Sequence, residues 1–336
     1  MTKETLSSIS RLTGFSRSTI SRVLNGKAKE YRISASTVKK VLEMAREVGY
    51  RQPKNGQASG AASSQVIGLA VPQLGNSFFA SLAASVILEA RKLGFLVMVF
   101  DTKEDKRAEE KALRTMVEHN VEGMIVVPCG DNAVQLEAVS RHVPVMLADR
   151  YFSNSFLPYV STNNFKGAYN AMNVLLRAGH RDILCLQGPP TAVTTVERLR
   201  GCRRAIADFG EPVRLIVDGD ELSLEAGYGA TRRALRLNTP PTAVFAFSNS
   251  TLLGAIKRLE EKQVRVPEDI SVVSFDDNKY FDFMRPSVTR VAQPVESMGA
   301  AAVKLLAKCI QEGRTISSKM LLMPTLIERD SVKTIG

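Results

Sequence analysis

Hydrophobic residues recur with a helical period through the first fifty residues of the chain. Three groups follow one another: Leu6, Ile9 and Leu12; Ile20, Val23 and Leu24; and Val38, Val41, Leu42, Ala45 and Val48. Apolar residues three and four positions apart share one face of a helix, so the pattern predicts three short helices around one small core. Gly14 falls between the first two helices, and Gly49 is expected to end the third.

Beyond residue 65 the pattern changes to short, continuous apolar runs. These runs cover residues 66–71, 95–100, 123–127, 143–148, 182–187, 213–217, 243–247 and 270–275. A continuous run is typical of a parallel strand that helices cover on both faces, so the spacing predicts repeated βα units. Such units build either one barrel or two doubly wound sheets. The runs form two groups, and the late segments "SVTRVAQP" and "KMLLMPTLI" can complete two sheets, which favours two α/β lobes with a cleft between them.

A linker separates the two patterns. The stretch "PKNGQASGAASSQ", residues 53–65, is rich in Gly, Ala and Ser and has no large apolar side chain. Such a composition is typical of a connecting segment. We therefore expect an all-α head over residues 1–52, a linker over 53–65 and an α/β core over 66–336.

Positive charge is concentrated in the head. Residues 1–55 contain twelve Lys and Arg against four Glu, a net charge of +8 out of +11 for the whole chain. The much longer remainder is nearly neutral. A small basic module joined to a neutral domain is typical of a protein that binds a polyanion such as nucleic acid.

Composition argues against several other classes of protein. No apolar run reaches the roughly 18 residues that span a bilayer, and the first residues lack a secretory signal, so we expect a cytoplasmic protein. The four cysteines are scattered and the three histidines lie in no ligand pattern, which predicts free thiols and no metal site. We find no phosphate-binding loop and no nucleophile motif, and "GYGATRRAL" carries Arg232 where a dinucleotide loop needs glycine. We expect neither an enzyme nor a cofactor.

The stretch "LTGFSRSTISRVLNG" predicts a helix-turn-helix. Gly14 lies in the turn, Ser16 can cap the second helix, and Arg17 and Ser18 stand at the end that enters a major groove. Arg17 and Arg22 can each fork onto guanine. The alternative is that these polar residues are only the solvated face of a surface helix. The glycine turn and the local charge favour the groove.

Several motifs resemble the LacI/GalR family of bacterial transcription regulators. They are "TLSSISRLTGFSRSTISRVLNG", "NSFFASLAASV", "VPVMLADR", "AGHRDILCLQGP", "ERLRG", "ISVVSFDD" and "MPTLIERDS", and they extend over nearly the whole chain. The resemblance implies a homodimer that binds a near-palindromic operator in double-stranded DNA. It also implies a periplasmic-binding-protein-like core that senses a sugar, a sugar derivative or a nucleoside. The alternative is a transport-type binding protein without specific operator binding, which the basic head and the missing signal disfavour.

The resemblance assigns roles within the head. It places Arg17, Ser18 and Arg22 at base-reading positions. The phosphate-contacting positions that it implies are Thr5, Ser16, Thr19, Ser21, Asn25, Ser34 and Thr37. Two segments depart from the family pattern. "KAKEYR" lengthens the loop before the third helix, and the linker has no leucine to wedge into the minor groove. Because Gly56 and Gly60 each disfavour a helix by about 1 kcal/mol, we expect weaker DNA bending than in relatives.

The resemblance also selects effector-binding residues in the cleft. They follow predicted strands or begin helices: Phe78, Phe79, Asp149, Thr194, Arg198, Ser248, Asp276 and Gln293. Arg198 and Asp276 are the strongest candidates, since a guanidinium and a carboxylate can form hydrogen bonds with adjacent hydroxyls of a sugar. The alternative role for Asp276 is a turn at a strand end. Glu221 departs from the family pattern and would disfavour a phosphorylated or carboxylated effector if it lines the cleft, and the Ser248-Asn249 pair also departs.

Overall fold

The chain forms two compact units. The computed structural model describes residues 6–24, 27–28, 30–47, 64–313 and 315–335. The units are Met1–Ser63 and Ser64–Gly336. Within the first, the described helices are α1 (Leu6–Thr13), α2 (Arg17–Leu24) and α3 (Ala35–Glu47). Most of the expected linker lies outside the described residues. The prediction of weaker DNA bending depends on that linker and therefore also concerns residues that the structure does not describe.

The three helices of the head enclose one small core. Ile9, Ile20, Val23, Val41 and Ala45 are buried together. Gly14 adopts a left-handed φ of 75° in the turn between α1 and α2, a conformation that glycine accepts without strain. Ser16 begins α2 because its Oγ accepts a hydrogen bond from the Thr19 backbone N–H at 3.1 Å. The predicted turn and cap are therefore confirmed.

Two leucines of the predicted apolar pattern do not join this core. Leu12 is 59% exposed and Leu42 is 42% exposed. Leu6, Ile9 and Leu12 are each three residues apart, whereas a helical turn has 3.6 residues. After two such steps Leu12 lies about 120° around the helix from Leu6. Leu42 directly follows the buried Val41 and therefore points to another face. Val48 and Gly49 lie outside the described residues.

Two six-stranded sheets form the second unit. The strands are β1 (Val66–Val71), β2 (Leu96–Asp101), β3 (Gly123–Val126), β4 (Val145–Ala148), β5 (Tyr159–Thr162), β6 (Asp182–Leu186), β7 (Arg214–Asp218), β8 (Ala243–Ala246), β9 (Ser271–Phe275), β10 (Thr289–Ala292), β11 (Lys319–Leu322) and β12 (Thr325–Ile327). The first sheet has the order β11-β5-β4-β3-β1-β2, and the second has the order β12-β10-β9-β8-β6-β7. Only β12 runs antiparallel to its neighbour in the described sheets.

Helices cover both faces of each sheet. They are α4 (Ser77–Lys92), α5 (Lys106–Glu118), α6 (Val134–Ser140), α7 (Asn164–Arg177), α8 (Val193–Phe209), α9 (Leu224–Ala234), α10 (Asn249–Glu261) and α11 (Val295–Glu312), with a short 3-10 helix at Lys279–Asp282. The central strands are buried along their length, whereas the edge strands β2 and β7 are partly exposed. Continuous apolar runs therefore correspond to doubly covered strands, and the predicted pair of doubly wound lobes is confirmed.

One strand, β5, is absent from the predicted set. Its sequence "YVST" is short and ends in two polar residues, so no continuous apolar run marks it. Its position depends on parallel pairing with β4 on one side and β11 on the other. The late segments behave as expected, because β11 completes the first sheet while β10 and β12 complete the second.

The chain crosses between the lobes after β5, after β10 and after β11. These crossovers lie side by side. The Thr162 Oγ1 donates to the Gln293 Oε1 at 2.6 Å, and the Asn163 N–H donates to the Leu322 carbonyl at 2.7 Å. Polar side chains at the strand ends therefore meet at the hinge between the two lobes.

The cysteines of the core are all free thiols. Cys185, Cys202 and Cys309 are buried and Cys129 is half-buried, as the apolar runs around them predict. In the part of the chain that the structure describes, no helix has both the length and the apolar character needed to cross a membrane.

Candidate functional site

A cavity of about 760 Å³ lies between the two lobes. The first lobe lines it with loops that follow β1 to β4, and the second lobe lines it with loops that follow β6 and β7. Gln73, Glu104, Cys129 and Arg150 stand on one side, and Val193, Glu197, Glu221 and Leu222 stand on the other. Because the carboxyl ends of parallel strands form the crevice in such folds, this is where a small ligand is expected.

The eight predicted effector-binding residues are all buried. Each is less than a tenth exposed: Phe78, Phe79, Asp149, Thr194, Arg198, Ser248, Asp276 and Gln293. None of the eight is among the described residues that line the cavity. Arg150 and Val193 do line it, next in sequence to Asp149 and Thr194. Asp149 and Thr194 of the predicted set therefore directly adjoin residues of the cavity wall.

Arg198 is the central group of this buried set. Its Nε donates to the Asn164 Oδ1 at 2.8 Å and its Nη1 donates to the Phe247 carbonyl. The guanidinium lies over the Phe275 ring, with 3.7 Å between its Cζ and the ring centroid. Two hydrogen bonds and one ring contact, each from a different part of the second unit, therefore fix the position of this arginine of α8.

Asp276 connects the cleft to the hinge. It follows β9 with a left-handed φ of 76°, and its Oδ1 accepts a hydrogen bond from the Gln293 Nε2 at 2.5 Å. Gln293 in turn accepts from Thr162, at the first crossover between the lobes. Among the described residues, Asp276 makes no direct ion pair with Arg198, although the guanidinium attracts it and opposes the rise in its pKa that burial causes.

Asp149 carries the least satisfied polar atom of the cluster. It follows β4 with a left-handed φ of 60°, and its buried Oδ1 has no hydrogen-bond partner among the described residues. Burial raises the pKa of this carboxyl to about 6, while the nearby Arg150 and Arg198 oppose the rise and Asp276 adds to it. Below about pH 6 this carboxyl is therefore mostly neutral and can donate a hydrogen bond, whereas at neutral pH it is mostly a buried anion.

We expect Asp149→Asn to stabilise the unliganded protein at neutral pH. Between its usual pKa of 3.8 and about 6, the folded protein binds more protons than the unfolded chain, so this carboxyl makes stability fall as pH rises. The full shift corresponds to at most about 3 kcal/mol. Urea unfolding at about pH 4 and about pH 7.5 should show a gain only at the higher pH.

Asp269→Asn is the matched control for this prediction. Arg265 lowers the pKa of Asp269 to about 2, so the same substitution there should lower stability at neutral pH. A loss of stability at neutral pH for Asp149→Asn would show instead that attraction by the two arginines outweighs the burial of Asp149.

Three other predicted residues of the cleft have identifiable structural roles. Ser248 and Thr251 form a capping box at the start of α10. Phe78 and Phe79 pack edge to face with their ring centroids 5.1 Å apart, and the Phe79 ring lies 5.7 Å from the Arg150 guanidinium. Packing and capping therefore account for these three positions without a ligand.

Two features of the cleft were not predicted from the sequence. Arg150 donates to both carboxylate oxygens of Glu104, each at 2.7 Å, and both residues line the cavity. Ser77 joins the two lobes, because its Oγ accepts from the Nδ2 atoms of Asn249 at 2.6 Å and Asn278 at 2.9 Å. The motif "VPVMLADR" contains Arg150, but its partner lies 46 residues earlier and no local pattern reveals the pair.

Glu221 lines the cavity. Most other charged residues of the lining form ion pairs, for example Glu104 with Arg150 and Glu197 with Arg200. Within the described residues, Glu221 has no basic partner and accepts only a 3.4 Å hydrogen bond from Ser223. It therefore adds an uncompensated negative charge to the cavity.

The polar face of α2 is exposed in the head. Arg17, Ser18 and Arg22 are exposed, whereas Ile20 and Val23 on the opposite side are buried. Ser34 caps α3 by accepting from the Thr37 N–H at 3.2 Å, as Ser16 does for Thr19 in α2. Ser21 is half-buried. Thr5 and Asn25 lie outside the described residues.

Comparisons with known proteins cover both units. A model of the bacterial regulatory proteins of the lacI family matches residues 5–52, and a model of a periplasmic binding protein-like domain matches residues 172–332. Catabolite control protein A of Priestia megaterium is 30% identical over 336 residues, covering 98% of this chain and 99% of that protein.

Solved structures agree with these matches. The lac repressor dimer bound to operator and the anti-inducer ONPF is similar at a TM-score of 0.73 and 26% identity, over 99% of this chain and 100% of that chain. A LacI family transcriptional regulator from Enterococcus faecium with bound ribose is similar at a TM-score of 0.73 and 25% identity, over 81% of this chain and 100% of that chain.

Proposed function

This chain belongs to the lacI family of bacterial regulatory proteins, and we propose that it represses transcription from a near-palindromic operator under the control of a small-molecule effector. It is a DNA-binding transcription regulator. The match to the head, residues 5–52, argues against the alternative of a transport-type binding protein. We place its action in the cytoplasm, where a regulator meets the chromosome, and assign it no catalytic step.

The observation that carries the proposal is the division of α2 into two faces. Ile20 and Val23 are buried in the core of the head, whereas Arg17, Ser18 and Arg22 are exposed to solvent. A surface helix needs no such cluster of basic side chains for stability. Presented after a glycine turn, this face suits the major groove of DNA.

We divide the DNA contacts by chemistry. Arg17, Ser18 and Arg22 are proposed to read base edges. Thr5, Ser16, Thr19, Ser21, Asn25, Ser34 and Thr37 are proposed to contact phosphates. The caps Ser16 and Ser34 support this division, because the start of a helix presents unpaired backbone N–H groups that attract an anion.

We expect Arg17→Ala to relax the preference for one base pair in each half-site. A bidentate contact with guanine contributes about 1 to 3 kcal/mol of discrimination, so the preferred base should lose most of its advantage there. Selection from a randomised duplex library with both proteins measures this. Ser10→Ala is the control, because that hydroxyl lies in α1 and donates to the Phe15 carbonyl. Equal weakening on every sequence would assign Arg17 to the phosphate backbone instead.

The cleft is proposed as the effector site. Arg198, Asp276 and Asp149 offer donors and acceptors that suit adjacent hydroxyls, as in a sugar, a sugar derivative or a nucleoside. Phe78, Phe79, Thr194, Ser248 and Gln293 complete the proposed set. The unpaired charge of Glu221 disfavours a phosphorylated or carboxylated effector. The bound ribose of the Enterococcus faecium relative supports a sugar-like ligand.

Regulation is proposed to depend on thermodynamic linkage between effector binding to the core and operator binding by the head. We propose a head over residues 1–52, a linker over 53–65 and an effector-binding and dimerisation core over 66–336. A two-fold operator requires a two-fold protein, so the functional unit is proposed to be a homodimer. An effector that prefers one arrangement of the lobes by about 1 to 3 kcal/mol would change operator affinity by about 5- to 150-fold.

A further inference from the structure

Three described residues between α2 and α3 are held by backbone hydrogen bonds. The Lys27 N–H donates to the Arg22 carbonyl at 2.9 Å, and the Tyr31 N–H donates to the Lys27 carbonyl at 3.2 Å. Farther along, the Ile33 N–H donates to the Ala28 carbonyl at 2.9 Å, and the Ile33 side chain packs against the core of the head. Lys27 is therefore bonded to α2 and Ile33 is fixed against the core, and Tyr31 lies between these two positions.

Tyr31 uses this position to stack on Arg22. The Arg22 Cζ lies 4.0 Å from the centroid of the Tyr31 ring. At that distance the planar guanidinium and the ring attract each other through a cation–π contact. In the part of the head that the structure describes, the Arg22 side chain makes no hydrogen bond and no ion pair, so the Tyr31 ring is what orients it.

The stacking leaves the hydrogen-bonding edge of Arg22 available. A guanidinium donates within its own plane, and the exposed Arg22 spends none of its donors on the described residues. The O6 and N7 acceptors of guanine are met by that edge. An exposed arginine without the ring would sample many rotamers and lose them on binding, while a stacked arginine is already oriented.

We propose that Tyr31 is a positioning residue for base recognition, which orients the Arg22 guanidinium before it enters the major groove. This inference rests on the proposed base-reading role of Arg22. Tyr31 is 43% exposed, so it contributes little to the core of the head. Its function is to make the preference for one base pair sharper than a free arginine would.

Four proteins and one randomised duplex library test this proposal. Full-length wild type, Arg22→Ala, Tyr31→Ala and Tyr31→Phe are each used to select bound duplexes at one salt concentration. Arg22→Ala should relax the preference at one base pair per half-site. Tyr31→Ala should relax the same pair by about two- to fivefold, the value of an exposed cation–π contact. Tyr31→Phe keeps the ring and should retain the wild-type preference.

The variants separate the possible failures. If Arg22→Ala relaxes a pair and Tyr31→Ala does not, the positioning role is wrong while base reading by Arg22 stands. If Arg22→Ala changes no pair, the base-reading role fails and the positioning role fails with it. Uniform weakening by Tyr31→Ala, or equal losses from Tyr31→Ala and Tyr31→Phe, would assign the tyrosine to the DNA backbone. Unchanged thermal unfolding of both Tyr31 variants shows that the head remains folded.

Discussion

Arg198→Ala should destabilise the protein by about 3 to 5 kcal/mol and abolish the response of operator binding to any effector. The substitution removes the guanidinium that bonds Asn164 and the Phe247 carbonyl. It also removes one of the two arginines that attract the buried Asp149 and the arginine that attracts the buried Asp276. DNA binding itself should survive at a temperature where the core stays folded, because the head is a separate compact unit.

Arg200→Ala is the matched control on the same helix. Its side chain is 63% exposed and pairs with Glu197 three residues earlier, so its loss should change stability by less than about 0.5 kcal/mol. Urea unfolding followed by circular dichroism compares both variants. Equal, small effects of the two substitutions would show that the buried network around Arg198 contributes little to the core.

Operator affinity should fall by about 10³ to 10⁵ between about 50 and 200 mM salt, the loss expected when a dimer neutralises six to ten phosphates. The reason is the concentration of basic residues at the start of the chain, where residues 1–55 contain twelve Lys and Arg against four Glu. Binding releases counterions from the DNA, which favours the complex through entropy. Added salt reduces this entropic contribution. A titration of the dissociation constant against salt gives the slope directly.

Two double variants show whether the salt dependence of operator affinity comes from the head or from the core. Replacing the exposed Lys27 and Lys40 with glutamine should reduce the slope by about one for each phosphate that the protein no longer neutralises. Replacing the exposed Lys257 and Lys262, within and at the end of α10 of the core, removes the same charge and should leave the slope unchanged. An equal reduction from the core pair would contradict binding through the head alone.

Periodicity in the sequence was sufficient to predict most of the fold. Buried helices and doubly covered strands repeat apolar residues in ways that a single sequence displays, and so the two lobes and the three helices of the head were predicted. The exceptions have physical causes. β5 depends on its neighbours rather than on its own composition, and Leu12 lies beyond the face that its spacing indicates.

The candidate site was predictable only in part. Asp149 and Asp276 directly follow strands, a position that the sequence reveals. The ion pair between Arg150 and Glu104 joins residues far apart in the chain, and the Arg22 stack depends on the path of a loop. Such contacts arise from tertiary structure. The sequence therefore indicated which strand ends meet, but not which side chains would face the cavity.

Recognition of a specific operator can be tested by recovering bound DNA from the source genome. Sheared genomic fragments are incubated with the purified full-length protein near physiological salt, with and without a small-molecule extract of the source cells. Non-specific binding is weak under these conditions, so bound fragments report specific sites. We expect the recovered fragments to share a near-palindrome and the recovery to change when the extract is present. Binding without any shared sequence under both conditions would contradict it.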